Sequence, residues 1–314
     1  MTTIRIATRA SALARTQSQT VADALAQQLG ETVELVEVRT HGDLDQTTPL
    51  ALMGGVGVFV AAVREAVLNG DADLAVHSLK DLPTAPAVGL AIRAIPPRAS
   101  AQDVLIARDG LTLGTLPAGA RIGTGSPRRA CQIRVLRPDL DVIAVRGNVD
   151  TRIGLVEQGV VDAVVLAKAG LERLGRLSDV SQTIDFADML PAPGQGALAV
   201  ESRHVNDDER LSKALAVLDH AETRLAVTAE RALLAALEAG CSAPVGAYAT
   251  MSDDAGNSVL HLAGLLGAIE GSGHIRKSVT GVSADAQSLG RQLAEELLAA
   301  LESGTSRPVK GGAA

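Results

Sequence analysis

Residues 6–14, IATRASALA, and residues 122–130, IGTGSPRRA, follow one plan. Each is a short apolar strand that runs into a threonine, Thr8 or Thr124. A serine follows, Ser11 or Ser126, placed to cap the next helix. In the second copy Pro127 takes the first helical position, where its missing N–H costs nothing. A strand-to-helix turn offers free backbone N–H groups and the positive end of a helix dipole, so each copy is a candidate anion site. Arg9 adds a fixed charge to the first, Arg128 and Arg129 to the second. Two such units predict two α/β lobes facing a cleft. Capping accounts for both serines, but not for the arginines.

The surrounding chain alternates strand and helix. IRIAT, ELVEV, DLAVHS, LAIRAI, VLIAR, ARIGT, DVIAV and DAVVLA read as strands. Helices are expected over 11–28 and 58–68, after Ser126, after Asn148 and near Ala169. This alternation predicts an α/β fold with mostly parallel sheets. Beyond residue 210 the texture changes. Helices at 211–217 and 222–238, three meandering strands (245–250, 259–266, 275–280) and an amphipathic helix at 284–301 predict a small C-terminal α+β domain. The tail GTSRPVKGGAA is expected to lack order.

Composition narrows the function. The 314 residues carry a net charge of −7, no tryptophan, and only Phe59, Phe186 and Tyr248 as aromatic rings. An acidic chain so poor in stacking rings is not expected to bind nucleic acid. The longest apolar runs are near ten residues, short of the ~20 that span a bilayer, and the N-terminus lacks a signal-like apolar block. No membrane association is expected. The two cysteines, Cys131 and Cys241, fit a reducing cytoplasm. His77, His204 and His220 stand alone, without metal-ligand spacing, so no metal is expected.

Against that acidic background, residues 121–152 hold seven arginines and three aspartates, while the rest of the chain is net −11. Arginine grips carboxylate or phosphate through two parallel N–H bonds and holds its charge at any workable pH. Arg134 and Arg137 extend a helix past its first turn and read as surface residues. Arg128, Arg129, Arg146 and Arg152 fall at strand ends and helix starts, where open α/β sheets bind ligands. In AVHSLKDLP a strand delivers Ser78, Lys80 and Asp81 to its carboxyl end before Pro83. Asp81 there is a candidate for stabilising a cationic intermediate or moving a proton, with Asp103 and Asp150 as weaker rivals. Cys241, in the Gly-flanked loop LEAGCSAPVG, lacks the base a papain-like nucleophile needs; a covalent tether remains open.

Taken together these segments resemble porphobilinogen deaminase, the hydroxymethylbilane synthase family. VHSxKDxP at 76–83, RRxxQ at 128–132, RGNxxTR at 146–152 and GCxxPxG at 240–246 occur in that order, and the likeness runs almost end to end. The resemblance implies a cytoplasmic, monomeric transferase. It condenses four porphobilinogen molecules head to tail with loss of ammonia, giving hydroxymethylbilane for haem and related pigments. It implies a dipyrromethane cofactor held as a thioether, here on Cys241, with porphobilinogen and the growing pyrrole chain as partners. Every pyrrole carries an acetate and a propionate, which gives the arginines a purpose. By family position Arg9, Arg128, Arg129, Arg146, Arg152 and Arg173 hold cofactor and substrate carboxylates. Ser11, Ser78, Lys80, Thr124 and Ser126 bond the cofactor's side chains, Gln17 and Phe59 match cleft positions, and Asp81 faces the pyrrole N–H groups. There it stabilises the azafulvenium cation formed when ammonia leaves.

The implied fold has two lobes like those of periplasmic binding proteins, plus a third domain. The expected bounds are 1–96 with 197–217, 101–192, and 219–302, with 303–314 a flexible tail. The chain's return to the first domain near GALAVE is implied by the resemblance. The sequence departs from the family in three places. Leu52 and Val56 stand where many members carry lysines, in or beside an expected lid at 45–55, and Gly125 stands where many have a second serine. A two-lobed binding protein for an anionic small molecule is the rival reading; it gives no role to Cys241 or Asp81. A dinucleotide oxidoreductase fails for want of GxGxxG after a first strand.

Overall fold

The computed structural model describes residues 3–38, 57–204, 208–237, 244–254, 256–268, 273–303 and 307–308. The chain divides into two compact units, residues 1–99 with 196–224, and residues 100–195 with 225–314.

The first unit is built on a five-stranded sheet. Its strands are β1 (Ile4–Arg9), β2 (Val33–Val38), β3 (Leu74–Ser78), β4 (Leu90–Ala94) and β10 (Leu198–Arg203), in the order β2-β1-β3-β10-β4. β1 pairs in parallel with β2 and β3, while β10 is antiparallel to β3 and β4, so four of the five strands run one way. Helix α1 (Ala12–Leu29) is capped by Ser11, whose hydroxyl accepts from the Ala14 N–H at 3.3 Å. Gly30, at φ 67°, closes it in the left-handed region that only glycine enters freely. α1 and α6 (Glu209–Leu218) share a core with the sheet through Val21, Leu25, Leu74, Val200, Leu211 and Leu215. A second cluster, Ala7, Val63, Val67 and Ala75, packs α2 (Gly57–Leu68) on the sheet. Arg64 of α2 forks onto Glu201 of β10 at 2.9 and 2.8 Å, and His77 of β3 lies 3.0 Å from the same carboxylate.

The second unit repeats this plan. Its first sheet has β5 (Asp103–Ala107), β6 (Arg121–Gly123), β7 (Asp141–Ile143), β8 (Ala163–Ala167) and β9 (Gln182–Thr183), ordered β7-β6-β8-β5-β9. Again one strand, β5, opposes the others. Strand for strand, β6 stands where β1 does, β7 for β2, β8 for β3, β5 for β10 and β9 for β4. Helices α3 (Pro127–Leu136), α4 (Val149–Glu157) and α5 (Lys168–Arg173) follow β6, β7 and β8. Ser126 caps α3 and Asn148 caps α4. The expected strands and helices are therefore present, and the mostly parallel direction holds.

A separate antiparallel meander completes this unit: β11 (Val245–Asp254), β12 (Asn257–Gly267) and β13 (Gly273–Val282). Its core is filled from one side by α7 (Ala221–Ala236) and α8 (Ala286–Glu302) through Ala229, Leu233, Leu289, Leu293 and Leu297. Gly290 permits the helix crossing: a Cβ there would lie 2.3 Å from the Ala229 carbonyl oxygen. Two residues of the tail, Arg307–Pro308, form β14 against β13. That order was not expected from the tail's Gly, Ser and Pro content; the open edge of β13 supplies the backbone partners. Phe186 stacks on Tyr248 with ring centroids 4.0 Å apart, so two of the chain's three aromatic rings join this sheet to the segment after β9. Glu230 of α7 accepts from the Gly194 N–H at 2.7 Å and the Ala249 N–H at 2.9 Å, in the same joint.

Candidate functional site

In each unit the chain leaves the central strand to one side and returns on the other. That makes a topological switch point between β1 and β3, and another between β6 and β8. Open α/β sheets bind ligands in the crevice outside the carboxyl ends of such strands. The sequence-predicted residues fall there, unit by unit.

In the first unit Arg9 ends β1, and Ser11 starts the helix that follows. Ser78 ends β3 beside it. Its hydroxyl and the Gln17 side-chain amide bond each other, 2.9 Å from Nε2 and 3.2 Å to Oε1. A 3-10 turn, Leu79–Asp81, then holds Leu79 buried while Asp81 is exposed. The turn is tied to the sheet by Leu79 N–H donating to the Ala197 carbonyl at 3.0 Å. Phe59 belongs to the first turn of α2.

In the second unit the turn after β6 carries Thr124, Ser126, Arg128 and Arg129. The loop after β7 carries Arg146, with Arg152 in α4, and α5 after β8 carries Arg173. Gly125 sits against that loop: a Cβ would lie 2.6 Å from the Val145 carbonyl oxygen. The serine common in the family therefore has no room here without moving the backbone that leads to Arg146.

Beneath the turn lies a buried ion cluster. Arg128 and Arg129 are 4 % and 5 % exposed, and both hold Asp103, which is fully buried at the start of β5. Arg128 Nη2 lies 2.8 Å from Asp103 Oδ2, and Arg129 reaches Oδ1 from Nε at 3.1 Å and Nη2 at 2.7 Å. Arg129 Nη1 donates to the Val165 carbonyl at 3.0 Å, and Arg128 Nη1 to the Leu190 carbonyl. Gln195, 1 % exposed, adds its Nε2 to Asp103 Oδ1 at 2.8 Å and to the Ala101 carbonyl at 2.7 Å. Burial alone would raise the Asp103 carboxyl, but Arg128, Arg129 and the Gln195 amide outweigh it and hold the group below the usual carboxylate range. Burial pulls Arg128 down against the opposing pull of Asp103, and burial together with the charge of Arg129 lowers Arg152. Arginine stays charged through such shifts. The lowering reflects first the burial of these charges.

Two guanidiniums thus share one carboxylate, and a third, Arg152, is buried near enough to feel the charge of Arg129. Among the described residues, Arg128 and Arg152 each keep a buried Nε–H without a hydrogen-bond partner. Arg173 is likewise lowered by burial, against the pull of Glu172. A donor set of guanidiniums, hydroxyls and helix N-termini with spare buried N–H groups fits a ligand rich in carboxylates.

Asp103, a candidate rival to Asp81, is the counterion of Arg128 and Arg129. Asp150, the other rival, pairs with Arg176 at 2.8 Å. The sequence gives no sign of Gln195, because an amide between two glycines carries no signal of its partners. Cys241, Leu52, Val56 and the 45–55 segment lie outside the described residues. Among the described residues no group of three or more His, Cys, Asp or Glu is arranged to hold a metal ion. None of their helices is long and apolar enough to cross a membrane.

Fold and site together define an α/β protein of two like-built sheets whose switch points carry cationic, hydroxyl-rich turns. A family model described as porphobilinogen deaminase, dipyromethane cofactor binding domain, matches residues 4–213, and one for the porphobilinogen deaminase C-terminal domain matches residues 224–299. Porphobilinogen deaminase 1 of Streptomyces coelicolor is 52% identical over 306 residues, covering 94% of this chain and 95% of its own. The Mycobacterium tuberculosis porphobilinogen deaminase is 54% identical over 299 residues, covering 94% and 95%. Among solved structures, a putative methionine-binding lipoprotein from Bacillus subtilis aligns with a TM-score of 0.42 at 13% identity, over 68% of this chain and 89% of that one. The chain belongs to the porphobilinogen deaminase family. It is a porphobilinogen-condensing transferase, a hydroxymethylbilane synthase, and it uses a dipyrromethane cofactor.

Proposed function

We propose that the cofactor is a thioether on Cys241, that Asp81 is the catalytic carboxylate, and that the arginines of the second unit hold the pyrrole carboxylates. When bound, the dipyrromethane supplies the primer for chain growth. The observation that carries this reading is the buried pair Arg128 and Arg129 on the single carboxylate of Asp103, with Arg152 buried within reach of the charge of Arg129. In a low-dielectric site, excess fixed charge of this kind calls for an anion. Arg146 and Arg173 extend the same cationic surface, with Thr124 and Ser126 as hydroxyl donors. In the first unit Arg9, Ser11, Gln17, Phe59, Ser78 and Lys80 take the remaining contacts. Asp81, on a turn anchored by Leu79, holds a negative charge close to the porphobilinogen carbon that becomes cationic as ammonia leaves. The fixed carboxylate lowers that barrier without reorganising.

The meander with α7 and α8 is the domain that carries the cysteine, which lies three residues before Pro244. That sheet meets the cluster's own support: Gly246 of β11 packs on Leu190, whose carbonyl accepts from Arg128 and Gln132. The other thiol, Cys131, is unsuited to tethering. It is 1 % exposed, donates to the Gly273 carbonyl at 3.3 Å, and is pushed up by burial. The enzyme acts as a cytoplasmic monomer.

Intact mass of the denatured protein tests the assignment. Wild type and Cys131→Ser are expected to carry an adduct of two linked pyrrole units on the peptide containing Cys241, and Cys241→Ser to carry none. If apoprotein incubated with porphobilinogen gains no adduct on that peptide, the Cys241 assignment fails.

A further inference from the structure

We propose that Gln195 and Asp103 are positioning residues that set the charge balance of the ligand site: Asp103 orients two guanidiniums, and Gln195 braces Asp103 with an amide where a second carboxylate would cancel the charge needed for anions. This rests on the reading of Arg128, Arg129 and Arg152 as the anion-holding groups.

The geometry separates two tasks. Asp103 Oδ1 accepts from Arg129 and from Gln195 at 2.7–3.1 Å, and Oδ2 pairs with Arg128 Nη2 at 2.8 Å. It therefore fixes the planes of two neighbouring guanidiniums that would otherwise repel each other. Gln195 is as buried as the carboxylate it supports, and its Nε2 bridges Asp103 to the Ala101 carbonyl. A glutamate could fill that volume, but it would bring the cluster from three cations and one anion to three and two. The amide gives orientation without neutralisation. Like charges at this spacing in a buried site cost free energy, so the cluster accepts a strained resting state that an incoming carboxylate relieves.

The test uses full-length protein expressed without cofactor. Its readouts are the rate of adduct formation from porphobilinogen by intact mass, KM and kcat of the loaded enzyme, and the thermal midpoint. Gln195→Glu places a carboxyl 2.8 Å from Asp103 Oδ1, where the two share a proton at low pH. The expected result is loading slowed about tenfold and KM raised about tenfold at pH 8, with kcat nearly unchanged, and recovery toward pH 6 as the introduced carboxyl protonates. Gln195→Met, which removes the amide but adds no charge, is expected to lower the midpoint and to load within about threefold of wild type. Asp103→Asn leaves the two guanidiniums without their orienting carboxylate and is expected to lower the midpoint and to slow loading at pH 8 and pH 6 alike. Equal effects of Gln195→Glu and Gln195→Met, a flat pH dependence in Gln195→Glu, or normal loading in Asp103→Asn would overturn the proposal; the last serves even if Gln195→Glu does not fold. Arg152→Gln separates the underlying reading. If it loads normally, the arginine assignment itself fails. If it loads slowly while Gln195→Glu does not, only the charge-balance inference fails.

Discussion

A single carbonyl explains a single glycine. Gly125 stands between Thr124 and Ser126, and a side chain there would meet the Val145 carbonyl oxygen at 2.6 Å. Gly125→Ser adds a hydroxyl but forces the Val145–Asn148 backbone outward, and Arg146 with it. We expect weaker loading with cofactor and a stability loss of about 1–3 kcal/mol, as for other overpacked sites; loading by intact mass and urea unfolding check it. Asp81→Asn probes the opposite situation, since Asp81 is exposed and its removal disturbs no core. Porphobilinogen is expected still to bind, and kcat to fall by roughly 10²-fold or more as the charge opposing the cation is lost. Wild-type turnover in single-turnover kinetics would remove Asp81 from its role. Arg129 shows where reading residues alone stops. Its place after Ser126 was legible from the cap pattern. Its commitment of Nε, Nη1 and Nη2 to Asp103 and Val165 was not, because those partners lie 26 and 36 residues away in sequence.

Elements were more legible than their partners. The two Thr–Ser turns, the alternating strands and the C-terminal meander follow from apolar periodicity and capping, which are local. β10 did not. LAVESR carries a charged pair inside a strand that is buried except at its last residue, and periodicity has no way to announce that Glu201 is held by Arg64 and His77. Only the resemblance pointed to the chain's return there. The crossing of α7 and α8 was equally silent, since Gly290 in a helix reads as a weak spot until the neighbouring backbone is known. Gly290→Ala is expected to destabilise by about 1–3 kcal/mol rather than to stabilise as an ordinary Gly-to-Ala change in a helix would. A thermal melt distinguishes the two signs.

At the scale of the whole molecule, acid is the expected weakness. Burial would raise the Glu201 carboxyl, but its bonds to His77 and Arg64 bring it down to about 2, against about 4.3 in an unfolded chain. Asp103 is also depressed. A depressed carboxyl takes up its proton in the unfolded state first, so stability rises with pH across this window. The Glu201 contribution, about 3 kcal/mol, is complete above pH 5 and is lost as pH falls toward 2. Urea unfolding at pH 3, 4 and 6 is expected to show it, and Glu201→Gln to flatten the profile.

The reversed strand of the first sheet also sets an order of events. β10 lies between β3 and β4, yet it is made about a hundred residues after them, once every strand of the sheet from β5 to β9 has been synthesised. On the ribosome, then, the second sheet has all its strands while the first is still split, with β4 detached and Arg64 and His77 awaiting Glu201. The sheet translated first is the sheet completed later, and chaperones meeting the nascent chain encounter an open, parallel half-sheet for the whole of that interval.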